Sequence, residues 1–143
     1  MKTILARFAL VLALGCISQS ALAANQSFSA SGNGGTEFMM PSGNVACIYI
    51  PPGGTDVYEP ADGGPELQCD RVEPTYLRFF LGKSGKAKVN ENVGDASCCS
   101  GPVFNYGNTT RLGPFVCKSA TSGITCTRDG HGFLIARKKT KTW

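Results

Sequence analysis

The sequence has one histidine, His131, and no C-x-x-C pair. A lone imidazole excludes a site built on paired histidines, and without C-x-x-C the usual mixed Cys/His zinc spacings are missing too. No metal and no cofactor is therefore expected. No window carries a sustained apolar stripe at helical spacing, which argues against a helical domain. Nor is there an apolar run of about 20 residues, the length needed to cross a bilayer as a helix. Pro41-Ser42-Gly43-Asn44 is not a phosphate loop, because the lysine and helix start that would complete one are absent.

Neither sign of charge dominates. Residues 1–23 read as a secretory signal peptide: Lys2 and Arg7 precede a short apolar run at 8–14, and Ala21-Leu22-Ala23 offers small residues for cleavage. A lipoprotein signal ending at Cys16 is the alternative, with Ala13 standing where a larger aliphatic is usual. Cleavage after Ala23 leaves 120 residues with 12 basic and 10 acidic side chains. Four of the basic residues, Arg137, Lys138, Lys139 and Lys141, lie at the end of the chain, so the body is slightly acidic. A general nucleic-acid-binding surface is not supported, and no nucleic-acid partner is expected.

What is abundant is cysteine, glycine and proline. The mature chain keeps six cysteines, Cys47, Cys69, Cys98, Cys99, Cys117 and Cys126, and an even count in a small exported chain reads as a disulfide framework. Cys117 and Cys126 flank the turn-rich stretch 119–123. A hairpin centred between Thr121 and Ser122 sets them opposite each other, within disulfide reach. A bond between the neighbours Cys98 and Cys99 is uncommon and strained. Excluding it assigns Cys47 and Cys69 one partner each from the Cys98-Cys99 pair, in either order, and excludes Cys47–Cys69.

Seventeen glycines and eight prolines in the mature chain, with short β-rich runs between turn signals, predict an all-β fold, a small barrel or sandwich of short antiparallel strands stapled by disulfides. Strands are expected at 45–50, 67–72, 75–81, 87–89, 103–106 and 133–137, with a hairpin-like turn at 83–86. Residues 24–36 read as a flexible leader, 37–137 as one β-rich domain and 138–143 as a basic tail. The Pro/Gly/Asp-rich stretch 51–65 reads as a mobile loop. No internal repeat is visible.

The motifs FMMPSGNVAC (38–47), LQCD (67–70), Tyr106-Gly107, GPFVC (113–117), GITC (123–126) and GHGFLIAR (130–137) follow one another in this order. The chain resembles a family of small exported bacterial domains with the pattern F-x-x-P-S-G-N-x-x-C, C-D, Y-G, C-x-S-x-x-x-G-x-T-C and G-H-G-F. The likeness covers about residues 37–137 and implies export, a bacterial source and one disulfide-held β domain. That family has no assigned activity, so no catalytic residue is carried over. Where members place a tryptophan after Tyr-Gly, this chain has Thr109-Thr110-Arg111. It also lacks their cysteine in the 75–82 region and doubles Cys98-Cys99 instead.

Candidate binding residues are His131, Ser42, Asn44 and Tyr106. The glycines on either side of His131 permit close backbone approach. A Ser-His-Asp set of Ser42, His131 and Asp70 or Asp95 can be written down, but no fixed spacing supports it. Asn108-Thr109-Thr110 fits a glycosylation sequon. The resulting expectation is a non-enzymatic periplasmic or secreted module that binds an envelope protein or glycan. A small envelope hydrolase using His131 is the alternative.

Overall fold

Among the described residues there are ten strands, and several of them, 66–71, 77–81 and 123–128 most plainly, alternate buried and half-buried side chains, the period of a sheet with one face on a core. The computed structural model describes residues 23–143; the signal-peptide reading and Cys16 lie outside the described residues. The first sheet is an antiparallel meander of β1 (Thr36–Met39), β2 (Val45–Ile50), β3 (Glu66–Arg71), β4 (Leu77–Leu81) and β5 (Lys88–Asn90). The second repeats the arrangement with β6 (Thr109–Leu112), β7 (Phe115–Ala120), β8 (Gly123–Arg128), β9 (His131–Ile135) and β10 (Thr140–Thr142). No helix occurs among the described residues.

The two sheets share one core. Phe38, Phe79, Phe104, Phe115 and Phe133 are fully buried in it together with Leu67, Leu81, Ile124 and Ile135. Burying each such side chain is worth about 1.5–3 kcal/mol. Phe79 of the first sheet meets Phe133 of the second at 5.7 Å between ring centroids, and Tyr49 meets Phe115 at 6.1 Å. The fold is the sandwich form of the all-β expectation.

Two cysteine pairs are cross-strand neighbours in register, Cys47 with Cys69 across β2–β3 and Cys117 with Cys126 across β7–β8. The third pair at disulfide distance is Cys98 with Cys99. The Cys117–Cys126 expectation holds. The other assignment is corrected: the β2–β3 register places Cys47 and Cys69 opposite each other on the inner face, while Cys98 and Cys99 lie together on the outer face of the same sheet. Three such pairs belong to a domain that folds in an oxidising, extracytoplasmic compartment.

Several boundaries differ from expectation. Residues 103–106 form no strand; Val103 makes one bridge beside Met39, and Phe104 N–H donates to the Met39 carbonyl at 2.8 Å before the chain turns at Gly107. Thr75 belongs to a turn, where its carbonyl accepts from the buried guanidinium of Arg71. In the 24–36 segment Phe28 stacks on Phe38 at 5.0 Å, and Gln26 N–H donates to Thr109 at 2.8 Å. The 138–143 segment supplies β10 against β9. Residues 51–65 are a chain of turns tied by backbone bonds such as Gly53 N–H to Gly63 C=O at 2.9 Å.

Candidate functional site

One end of the sandwich gathers connections from both sheets. The five-residue link between β1 and β2 turns on Gly43, whose φ of 67° suits glycine, and Gly43 N–H donates to Met40 C=O at 2.9 Å. Asn44 then ties this link to the segment after β3. Its Nδ2 donates to the Glu73 carbonyl at 3.0 Å, and its Oδ1 accepts from Glu73 N–H at 2.8 Å. Ser42 Oγ accepts from Asn44 N–H at 3.3 Å.

From the second sheet comes the β7–β8 hairpin, whose two-residue turn is Thr121-Ser122, as its sequence predicts. Gly123 closes that turn at φ 128°, and a Cβ there would stand 2.5 Å from the Ile135 carbonyl. Its absence lets β8 start hard against the end of β9. Tyr106 arrives from the β5–β6 connection and is fixed by Gly107 N–H donating to Ser119 C=O at 2.8 Å. Beneath it Ser119 Oγ, fully enclosed, donates to the Phe104 carbonyl at 3.0 Å.

The result is a cleft of about 230 Å³. Its floor is apolar, from Met40, Val45 and Ile135, and its rim carries Ser42, Tyr106, Thr121 and Arg137. Tyr106 is 40% exposed, and its hydroxyl has no hydrogen-bond partner among the described residues. Arg137 is paired with Glu73, with both side chains largely exposed. Such a cleft presents an aromatic face, free hydroxyls and a guanidinium around an apolar base. It holds no general acid–base pair.

Three of the four candidate residues, Ser42, Asn44 and Tyr106, thus line one cleft. His131 is not among them. It begins β9 directly after the Asp129-Gly130 turn, opposite Arg128 and half-buried, and its ring makes no hydrogen bond among the described residues. The glycines around it serve the backbone. Gly130 adopts φ 80° in the turn, and Gly132 exchanges two 3.0 Å hydrogen bonds with Trp143 where a Cβ would meet the Cys126 carbonyl. The Ser-His-Asp set is not assembled: His131 does not line the cleft that holds Ser42, and its ring is bonded to neither Asp70 nor Asp95 among the described residues, both Asp70 oxygens being engaged by Arg78.

Asp70 anchors the cluster that sequence reading missed. Arg78 grips its carboxylate with two 2.7 Å bonds, and Tyr76 Oη donates to it at 2.5 Å. Burial, followed by the bond to Asp70, holds the Tyr76 phenol above its ordinary pKa. The Arg78 guanidinium's own bonds to Asp70 push it upward against its desolvation. Tyr76 Oη accepts from Cys98 N–H at 3.2 Å, and Arg78 Nη2 donates to Asp95 C=O at 3.1 Å. This pins the β5–β6 connection over the outer face of the first sheet. The only hint in sequence was the alternation of Tyr76, Arg78 and Phe80 along a strand.

No group of three His, Cys, Asp or Glu side chains suited to a metal occurs among the described residues. The Asn108 amide of the sequon donates to Gln26 Oε1 at 2.9 Å. Compared with family models, curated proteins and solved structures, the chain matches none.

Proposed function

We propose that the chain is an exported, non-enzymatic bacterial domain, periplasmic or secreted, that binds a protein or glycan partner through the cleft at the Tyr106 end of the sandwich. The observation that carries this reading is the convergence of Ser42, Tyr106, Thr121 and Arg137 from separate connections of both sheets onto one cleft. Loops on a rigid sheet scaffold are the usual carriers of recognition. The signal-like residues 1–23, the motif resemblance and the cysteine framework support export. At about 230 Å³ the cleft is smaller than the roughly 300 Å³ lower bound of drug-sized pockets, so it suits one sugar ring or one side chain of a larger partner. The hydrolase alternative has less support, because among the described residues the His131 ring makes no hydrogen bond to a serine and no ion pair with a carboxylate.

The test is binding of the oxidised mature domain to two probe sets, cell-wall glycan fragments by calorimetry and envelope proteins by cross-linking. Saturable binding to one set, weakened about tenfold or more by Tyr106→Ala and untouched by His131→Ala, is the expected result. Retention of neither set, or loss on His131→Ala alone, overturns the reading.

A further inference from the structure

The β5–β6 connection carries Ser97-Cys98-Cys99-Ser100 across the outer face of the first sheet and leaves a cleft of about 240 Å³ between that segment and β2–β3. Cys98 and Cys99 are half-buried on its wall. The other four paired cysteines are enclosed in the sandwich, with exposures of 4%, 1%, 1% and 0% for Cys47, Cys69, Cys117 and Cys126. A thiol in solution therefore reaches one pair and not the other two. Access is what separates exchangeable disulfides from inert ones.

Sequence separation points the same way. The sheet disulfides close intervals of 22 and 9 residues, whereas the third joins residues one apart. Cross-linking stabilises mainly by restricting the unfolded chain, and the effect grows with the loop closed. A link between neighbours restricts almost nothing. The segment is also held without it, by Cys98 N–H on Tyr76 Oη, by Arg78 on the Asp95 carbonyl, and by Met39 N–H on Pro102 C=O at 2.9 Å. The fold thus has no need of this bond, yet the bond lines a cleft beside Glu37, Gln68, Asp70 and Arg78.

The geometry points to a thiol–disulfide exchange site at Cys98–Cys99, reduced by an external dithiol and restored by an external disulfide while the two sheet disulfides stay intact. A thiolate of the dithiol attacks one sulfur of the pair, forming a mixed disulfide and releasing the other cysteine as a thiolate. The second thiol of the reagent then attacks its own sulfur in the mixed disulfide and expels the remaining cysteine. Two electrons and two protons pass from the dithiol to the pair, and the dithiol leaves as a disulfide. This site is separate from the Tyr106 cleft and does not rest on the function proposed for it.

The experiment is a graded native titration of the oxidised protein with dithiothreitol, quenched by iodoacetamide and read by peptide mass mapping. The expected result is two alkyl groups on the Cys98-Cys99 peptide at dithiol levels that leave Cys47, Cys69, Cys117 and Cys126 unmodified, and no such labelling when excess oxidised glutathione is added before the quench. Modification of all six together, no modification before unfolding, or alkylation of Cys98 and Cys99 without added dithiol overturns the proposal. The variant C98S/C99S supplies a second reading. An unchanged Tm and no alkylation in the low-dithiol range agree with exchange, whereas a fall in Tm equal to that of C117S/C126S makes the bond structural and overturns it.

Discussion

Phe79 and Phe133 meet across the core with centroids 5.7 Å apart, and each stands opposite a half-cystine on the adjacent strand, Cys69 and Cys126. Their surroundings correspond further. Cys69 is paired with Cys47 on one side as Cys126 is with Cys117, and a buried arginine follows two residues later in each case, Arg71 and Arg128. The two meanders are therefore built on one plan that the sequence does not display. The spacings that would reveal it are broken by loops of different length, 15 residues between β2 and β3 against two between β7 and β8.

This pairing makes the two rings the joint between the sheets. Phe79→Ala or Phe133→Ala is expected to lower stability by about 3–5 kcal/mol, the range for truncating a buried aromatic ring. The double variant should lose less than the sum, because each ring is part of the other's packing. Denaturant unfolding of the four proteins checks this. Full additivity would place the joint elsewhere.

The sheet disulfides should also rank. Removing either one, as C47A/C69A or C117A/C126A, is expected to cost about 2–5 kcal/mol. The first should cost more, by roughly 1 kcal/mol on chain entropy, because it closes an interval of 22 residues against 9. Thermal unfolding under non-reducing conditions measures both. The opposite order would mean that packing around the cysteines outweighs the chain term.

Local signals were legible in sequence where one short interval decided the structure. The Cys117–Cys126 hairpin follows from its turn residues, and Val45–Ile50 is the strand its apolar run predicts. Ser42, Asn44 and Tyr106 share a cleft because loops rich in turn residues collect at the ends of a sandwich. Long-range register was not legible. Cys47 faces Cys69 only because β3 returns after a long loop in the register that buries Leu67 and Arg71, and a one-residue slip would have turned Cys69 outward. The leader and tail misled for a related reason: Phe28 finds Phe38, and Trp143 finds Gly132, through contacts with distant strands. The Asp70–Arg78–Tyr76 cluster was missed because charged residues on strands read as solvated faces, and Arg137, which follows β9, because it read with the lysines after it as a solvated chain end.

Arg128 is a buried cation with weak compensation. Its Nη2 donates to the Gly85 carbonyl at 2.9 Å, its Nε has no partner, and the Asp129 carboxylate 4.0 Å away is 84% exposed. An exposed carboxylate at that distance contributes little. Replacement by an apolar side chain of similar reach, Arg128→Met, is therefore expected to be neutral or to stabilise by up to about 2 kcal/mol. Arg128→Ala should destabilise by about 2–3 kcal/mol, because it leaves a void that the methionine side chain fills. Equal losses for both variants, by chemical denaturation, would show that the charge itself stabilises the fold.

Tyr76 gives the fold an alkaline limit. Burial and the bond to Asp70 raise its pKa above the ordinary value near 10, so the folded state favours the neutral phenol. Above about pH 10 the unfolded chain loses this proton first, and stability must fall as pH rises until the folded-state pKa is passed. Below that window the group contributes no pH dependence. Tyr49 and Tyr58 are raised by burial in the same direction, so the wild-type decline is shared among the three. Tyr76→Phe should remove its portion of the alkaline slope while losing the hydroxyl that receives Cys98 N–H. Amide exchange at Cys98 should therefore be faster in the variant than in the wild type at neutral pH. Phenolate absorbance followed alongside exchange separates the two effects. An ordinary tyrosine titration at position 76, with Cys98 exchange unchanged in Tyr76→Phe, would detach the β5–β6 connection from this hydroxyl.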